Sequence, residues 1–148
     1  MSNIVSPFQM QENRVVSFGF KQKDLPRECE STKVELGVDY KISDIVEADK
    51  TLFAKVDLLI RLVGKTMEDE DSFEISLDML GHFQGDSGQM DKDRFLSMLK
   101  INGISTLMQL SRAYITASTA LSGFGNPINF PMVNVYELIK MKEDNSKP

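Results

Sequence analysis

Lys33-Val34-Glu35-Leu36-Gly37-Val38-Asp39-Tyr40-Lys41-Ile42-Ser43 alternates without a break. Val34, Leu36, Val38, Tyr40 and Ile42 fall on one side, and Lys33, Glu35, Gly37, Asp39 and Lys41 on the other. Successive side chains of a strand point to opposite faces, so this stretch predicts a strand with one buried face and one wet face. Two further stretches repeat the pattern. Ser72 to Phe83 sets Phe73, Ile75, Leu77, Met79 and Phe83 against Ser72, Glu74, Ser76 and Asp78. Leu52, Ala54, Val56, Leu58, Ile60 and Leu62 make a third apolar face, with a mixed reverse side of Phe53, Lys55, Asp57, Leu59, Arg61 and Val63.

The opening segment is less regular. Phe8 and Met10 share parity with Val16, Phe18 and Phe20, but Glu12 and Arg14 interrupt them. An edge strand with a bulge tolerates such a break. The acidic run Glu68-Asp69-Glu70-Asp71 reads as a solvated hairpin turn, since a Ca²⁺ loop needs spaced ligands and a Gly. Residues 43 to 50 are another polar crossing, and Gly85-Asp86-Ser87-Gly88 closes the strand-rich half.

From Asp91 the period becomes helical. Asp91 is placed to cap a short helix presenting Phe95 and Leu99. After Gly103 a longer helix carries Leu107, Leu110, Tyr114, Ala117 and Leu121, with Met108 and Ile115 widening the stripe. Residues 122 to 127, Ser-Gly-Phe-Gly-Asn-Pro, stop it. A last helix is expected over Val133 to Lys142, with Val135, Leu138 and Ile139 at helical spacing, and Glu143 to Pro148 as a disordered tail. The fold expected is α+β: a four-stranded antiparallel sheet packed with a long helix and a shorter C-terminal helix, one domain over residues 1–142.

Arg112 is the only charged side chain between residues 101 and 136. The long helix shows Ser105, Thr106, Gln109, Ser111, Thr116, Ser118 and Thr119 where a surface helix normally carries charge. Burial of both helix faces in an oligomer explains this. The loop from Phe124 to Met132 holds two Phe, an Ile and a Met without a charge. Exposed, it would be an adaptable apolar patch of the kind that marks binding sites.

Composition narrows the function. At 148 residues a fold buries roughly 70% of its unfolded surface, so no disulfide or metal staple is required. Apolar residues are 41% and charged residues 26%, with nine Met, nine Phe and no Trp. One His and one Cys cannot form a Cys/His zinc site or a disulfide. His82 lies on the polar face of a strand without a nucleophile near it in sequence, and Cys29 sits between acids that disfavour thiolate. No phosphate-binding Gly loop is present. The expectation is a protein that is not an enzyme and needs no cofactor or metal. A net charge of −5 argues against nucleic acid. Without a signal-like start or an apolar run long enough to span a bilayer, the expected address is cytoplasmic, with no membrane insertion.

Several strings, taken in order, resemble the SecB family of export chaperones. Phe8-Gln9-Met10-Gln11 followed by Val16-Ser17-Phe18 is similar to that family's opening strand, and Lys33-Val34-Glu35-Leu36 to its second. Ser72 to Phe83 is similar to its fourth, ending in Gly81 and Phe83. Arg112, Ile115-Thr116, Gly123-Phe124 and the stretch from Ile128 to Asn134 resemble its long helix, crossover loop and final helix. The likeness spans about residues 7 to 140. It implies an ATP-independent holdase, a homotetramer built as a dimer of dimers, whose clients are unfolded polypeptides held in apolar grooves.

Carried onto this chain, the client groove would use Val34, Leu36 and Val38 of the second strand. Phe124, Ile128, Phe130 and Met132 of the crossover would join it, with Val135, Leu138 and Ile139 of the last helix. On that basis, Phe124→Ser or Phe130→Ser is expected to weaken client holding and spare folding. Where export chaperones carry acids that dock the translocase motor, this chain has Val15, Gly19 and Ser76, with Glu74 and Asp78 flanking the last. Glu74, Ser76 and Asp78 are the candidate partner-docking residues. Loss of the docking acids favours the branch that serves toxin–antitoxin–chaperone modules, with an antitoxin as client, over general preprotein export to the Sec translocase. A non-chaperone oligomeric adaptor or a carrier of a small apolar ligand is the alternative of another class.

Overall fold

A computed structural model describes residues 4–24, 33–122, 128 and 130–146. Cys29 and Phe124, both considered above, lie outside the described residues. Five strands form one antiparallel sheet: β1 (Phe8–Gln22), β2 (Lys33–Ile42), β3 (Val46–Ala48), β4 (Thr51–Lys65) and β5 (Asp71–Asp86). The order is β1-β5-β4-β2, and the short β3 pairs with the start of β4 beyond the end of β2. The α+β architecture is as expected, with β3 added.

β4 and β5 are the central strands, and their patterns decide the core. Leu52, Ala54, Val56, Leu58, Ile60 and Leu62 are all buried, as are Phe73, Ile75, Leu77, Met79 and Phe83 opposite them. β1 departs from a simple alternation because it contains two bulges, between Met10 and Glu12 and between Val15 and Ser17. Each bulge reverses the parity. Phe8 and Met10 face the core, then Val15 does, then Phe18 and Phe20. Val16, expected on the apolar face, is exposed instead. Two tight turns complete the sheet. Asp49 and Lys50 both take positive φ between β3 and β4, a primed hairpin turn without its usual Gly. Thr66 closes the acidic β4–β5 turn, its Oγ1 accepting the Glu70 N–H at 3.2 Å.

One face of the sheet is covered by α1 (Lys92–Met98), α2 (Ile104–Ala120) and α3 (Val135–Ser146). Asp91 caps α1, its Oδ1 accepting the Arg94 N–H at 2.8 Å. The chain does not restart after Gly103, as the sequence suggested. A π turn over Leu99–Gly103 keeps the backbone right-handed from α1 into α2. Gly103 passes close over Phe83, and the same ring crowds Gly81: a Cβ there would stand 2.7 Å from Phe83 Cε2 and 3.0 Å from Leu107 Cδ2. These glycines let the helical layer close on the sheet.

The buried stripe of α2 is Ile104, Leu107, Met108, Ser111, Ile115 and Thr119. The expected line through Leu110, Tyr114, Ala117 and Leu121 lies to one side of it. Tyr114 meets Phe18 edge-on at 5.1 Å between centroids, while Ala117 and Leu121 are exposed. Two polar side chains therefore occupy core positions. Ser111 lies 3.6 Å from Met79 Sδ, and the Thr119 hydroxyl donates to the Ile115 carbonyl at 2.8 Å. At the other end, α3 runs to Ser146, so Glu143 to Ser146 are helical where a tail was expected. Lys100 on the π turn bonds Glu143 Oε1 at 3.0 Å and ties that last turn down.

Candidate functional site

β2 is an edge strand, and the helical layer does not cover its apolar face evenly. Tyr40 is buried, Val38 and Ile42 are half-buried, and Leu36 and Val34 are 37% and 47% exposed. The alternation that predicted a buried face is thus satisfied only at one end of the strand. On the helix side, Val135, Leu138 and Ile139 of α3 are half-buried and pack against the edge of the core. Lys142 fastens α3 to β2. Its Nζ bonds Asp39 Oδ1 at 2.6 Å and lies 5.0 Å from the Tyr40 ring centroid. That hydrogen bond holds the Asp39 carboxyl below its ordinary value. The result is an apolar strip with a solvent-open end at Val34 and Leu36 and a closed end under α3.

The crossover residues divide differently from expectation. Ile128 and Phe130 are buried in the chain's own core, whereas Met132 is 88% exposed. Ile128 donates its N–H to Thr119 Oγ1 at 2.9 Å, and its carbonyl accepts from Thr116 Oγ1 at 3.4 Å. Arg112 bonds the Pro131 carbonyl at 3.4 Å and lies 6.0 Å from the Phe130 ring centroid. The one charge of the charge-poor region thus pins the crossover to α2. Ile128 and Phe130 are anchors and not open surface, because α2 supplies polar partners that let this segment bury.

Glu74, Ser76 and Asp78 do share the uncovered face of the sheet. Of the three, Ser76 and Asp78 border a shallow depression of about 470 Å³ that includes Gly37, Leu59 and Ser17, and Glu74 is outside its lining. They do not form an array of free carboxylates. Glu74 is bonded by Arg61 Nε at 3.0 Å. Burial, and behind it the hydrogen bond and charge of Asp57, push Asp78 up to about 6, with Lys41 opposing. His82 lies on the same face, across from Glu12 of β1 and Lys55 of β4.

No protein-family model matches the chain, and no curated protein does. Solved structures do. The Mycobacterium tuberculosis Rv1957 SecB-like chaperone, in complex with a ChAD peptide from the Rv1956 HigA1 antitoxin, superposes with a TM-score of 0.60 over 86% of this chain and 91% of that one, at 12% identity. The fold is SecB-like. A Streptococcus agalactiae protein of unknown function matches with a TM-score of 0.52 over 84% of this chain and 97% of its own, at 13% identity. At such identities the SecB-like likeness rests on the path of the chain. Among the described residues, no group of three or more His, Cys, Asp or Glu could hold a metal, and no helix is long and apolar enough to cross a membrane.

Proposed function

We propose that this chain is a non-enzymatic, ATP-independent holdase of the cytoplasm that binds unfolded polypeptides along β2 and α3. The observation that carries this is the open end of the β2 strip. Val34 and Leu36 stand exposed on the apolar side of the sheet, continuous with Val38, Val135, Leu138 and Ile139. An extended client can lay alternate side chains on such a strip while its backbone stays hydrated, and affinity then follows apolar area and not sequence. Met132, exposed on the crossover, would add apolar surface to it, and Phe124 remains a candidate from the sequence alone. The fold neighbour from Mycobacterium, a chaperone holding an antitoxin peptide, supports a peptide client.

A dedicated antitoxin client is favoured over general export. Glu74 is paired with Arg61 and Asp78 sits beside Asp57, so the face does not present the row of free docking carboxylates that the export chaperones carry. Assembly into a homotetramer fits α2, whose outward residues, Thr106, Gln109, Ala113, Ala117 and Ala120, are uncharged and mostly small.

Light scattering tests the function. Stoichiometric chain should suppress aggregation of several unrelated denatured proteins without nucleotide. Protection of none of them, with binding to one folded protein, would indicate an adaptor. Protection of none, with uptake of a small apolar ligand, would indicate a carrier.

A further inference from the structure

A second cavity, of about 580 Å³ and as shallow and open as the first, lies where β2 ends, between α1, the π turn and α3. Its floor is apolar, made by Ile42, Ile45 and Leu96, and three amines stand around it: Lys92, Lys100 and Lys142. Asp44 is the one carboxylate in the lining. Two of the amines are already paired at the surface, Lys142 with Asp39 and Lys100 with Glu143, and in each pair the lysine is the more buried partner. Lys92 has no ion pair among the described residues. Exposed pairs of this kind are worth little, so an incoming carboxylate can displace Asp39 or Glu143 at small cost. Tyr40 lines the same cavity, and burial, with Glu143 and Asp39 nearby, raises its pKa, so it remains a hydroxyl donor. The π turn that carries Lys100 is a rare feature, frequently found at functional sites.

We propose that this cavity binds acidic side chains of a peptide client whose apolar residues lie on the β2 strip. The placement rests on the holdase function above and adds a charge preference to it. Tyr40 and Ile42 belong both to the strip and to the cavity, so the two surfaces are continuous. From Leu36 to Ile42 a strand advances about 20 Å. An extended client would therefore carry its Asp or Glu about six residues from the apolar side chain seated at Leu36.

The test compares two synthetic peptides on the full chain by fluorescence anisotropy. One alternates Leu and Ser and ends in paired Asp residues; the other has Asn in their place. The Asp peptide should bind about twofold to fivefold tighter, because a pair made with Lys92 is new whereas pairs made with Lys100 or Lys142 replace existing ones. That advantage should shrink in high salt and disappear in Lys92→Gln/Lys100→Gln, with the Asn peptide unaffected. Lys92→Gln alone, at an exposed position outside any ion pair, should remove part of it and serves if the double variant melts early. Equal binding of the two peptides, or an advantage that survives these substitutions, would overturn the charge preference alone. Binding of neither would overturn the holdase role as well. Decanoate should not displace the Asp peptide; displacement would assign the cavity to a small amphiphile and overturn the peptide assignment.

Discussion

Thr119 Oγ1 accepts the backbone N–H of Ile128 at 2.9 Å while its own proton goes to the Ile115 carbonyl at 2.8 Å. One buried hydroxyl thus joins the last turns of α2 to the crossover segment. Thr119→Val keeps the volume but leaves the Ile128 N–H without a partner, a loss of about 1–3 kcal/mol. Phe130→Ser removes a buried ring and should cost about 3 kcal/mol or more. Urea denaturation should show both, and Met132→Ser, at an exposed position, should leave the midpoint unchanged. Phe130 is therefore expected to fail as a selective probe of client binding.

Val34 and Leu36 are the selective probes. They are partly exposed, so Val34→Ser and Leu36→Ser should each lower stability by only about 1 kcal/mol, less than the loss of a core side chain. Protection of denatured proteins in light scattering should fall several-fold for the double variant. Full protection by a stably folded double variant would remove β2 from the groove.

Gly81 tests how the layers fit. A methyl group there would meet Phe83 at 2.7 Å and Leu107 at 3.0 Å, so Gly81→Ala should lower stability by about 1–3 kcal/mol through overpacking. Gly81→Ala combined with Leu107→Ala, which clears part of that space, should cost less than the two single losses added. Urea titrations of the three variants measure the difference.

The Asp57–Asp78 pair gives a pH dependence. Asp78 titrates near 6 in the folded chain, above its ordinary 3.8, so the folded state holds this proton more tightly than the unfolded state. The stability this contributes is complete below the unfolded value and lost as pH rises through about 6. Because the pair is half-exposed, the change should be about 1 kcal/mol or less. Asp78→Asn should flatten the urea midpoint between about pH 4 and pH 7. An unchanged slope would show that Asp78 is not the group whose proton the folded chain holds.

The parts of the fold set by periodicity were legible in the sequence, since β4 and β5 bury one face throughout. β1 was harder because two bulges reverse its parity and cancel over its length, which made Val16 look like a core residue in place of Val15. The Asp49-Lys50 turn lacks the Gly that would have announced it. Ser111 and Thr119 were invisible to an apolar pattern because their burial depends on partners distant in sequence. Ile128 and Phe130 carry the composition of an exposed binding loop, but composition does not say which way a side chain faces. The lysines around the cavity at the end of β2 come from α1, the π turn and α3, and no spacing along the chain connects them.

Site-directed photo-cross-linking tests the central claim most directly. A photoreactive residue at position 36 reports on the apolar side of the sheet, and one at position 76 on its uncovered face. With a denatured client present and no nucleotide, position 36 should cross-link the client strongly and position 76 weakly or not at all. Strong cross-linking from position 76 with none from position 36 would place the client on the opposite face and contradict the account.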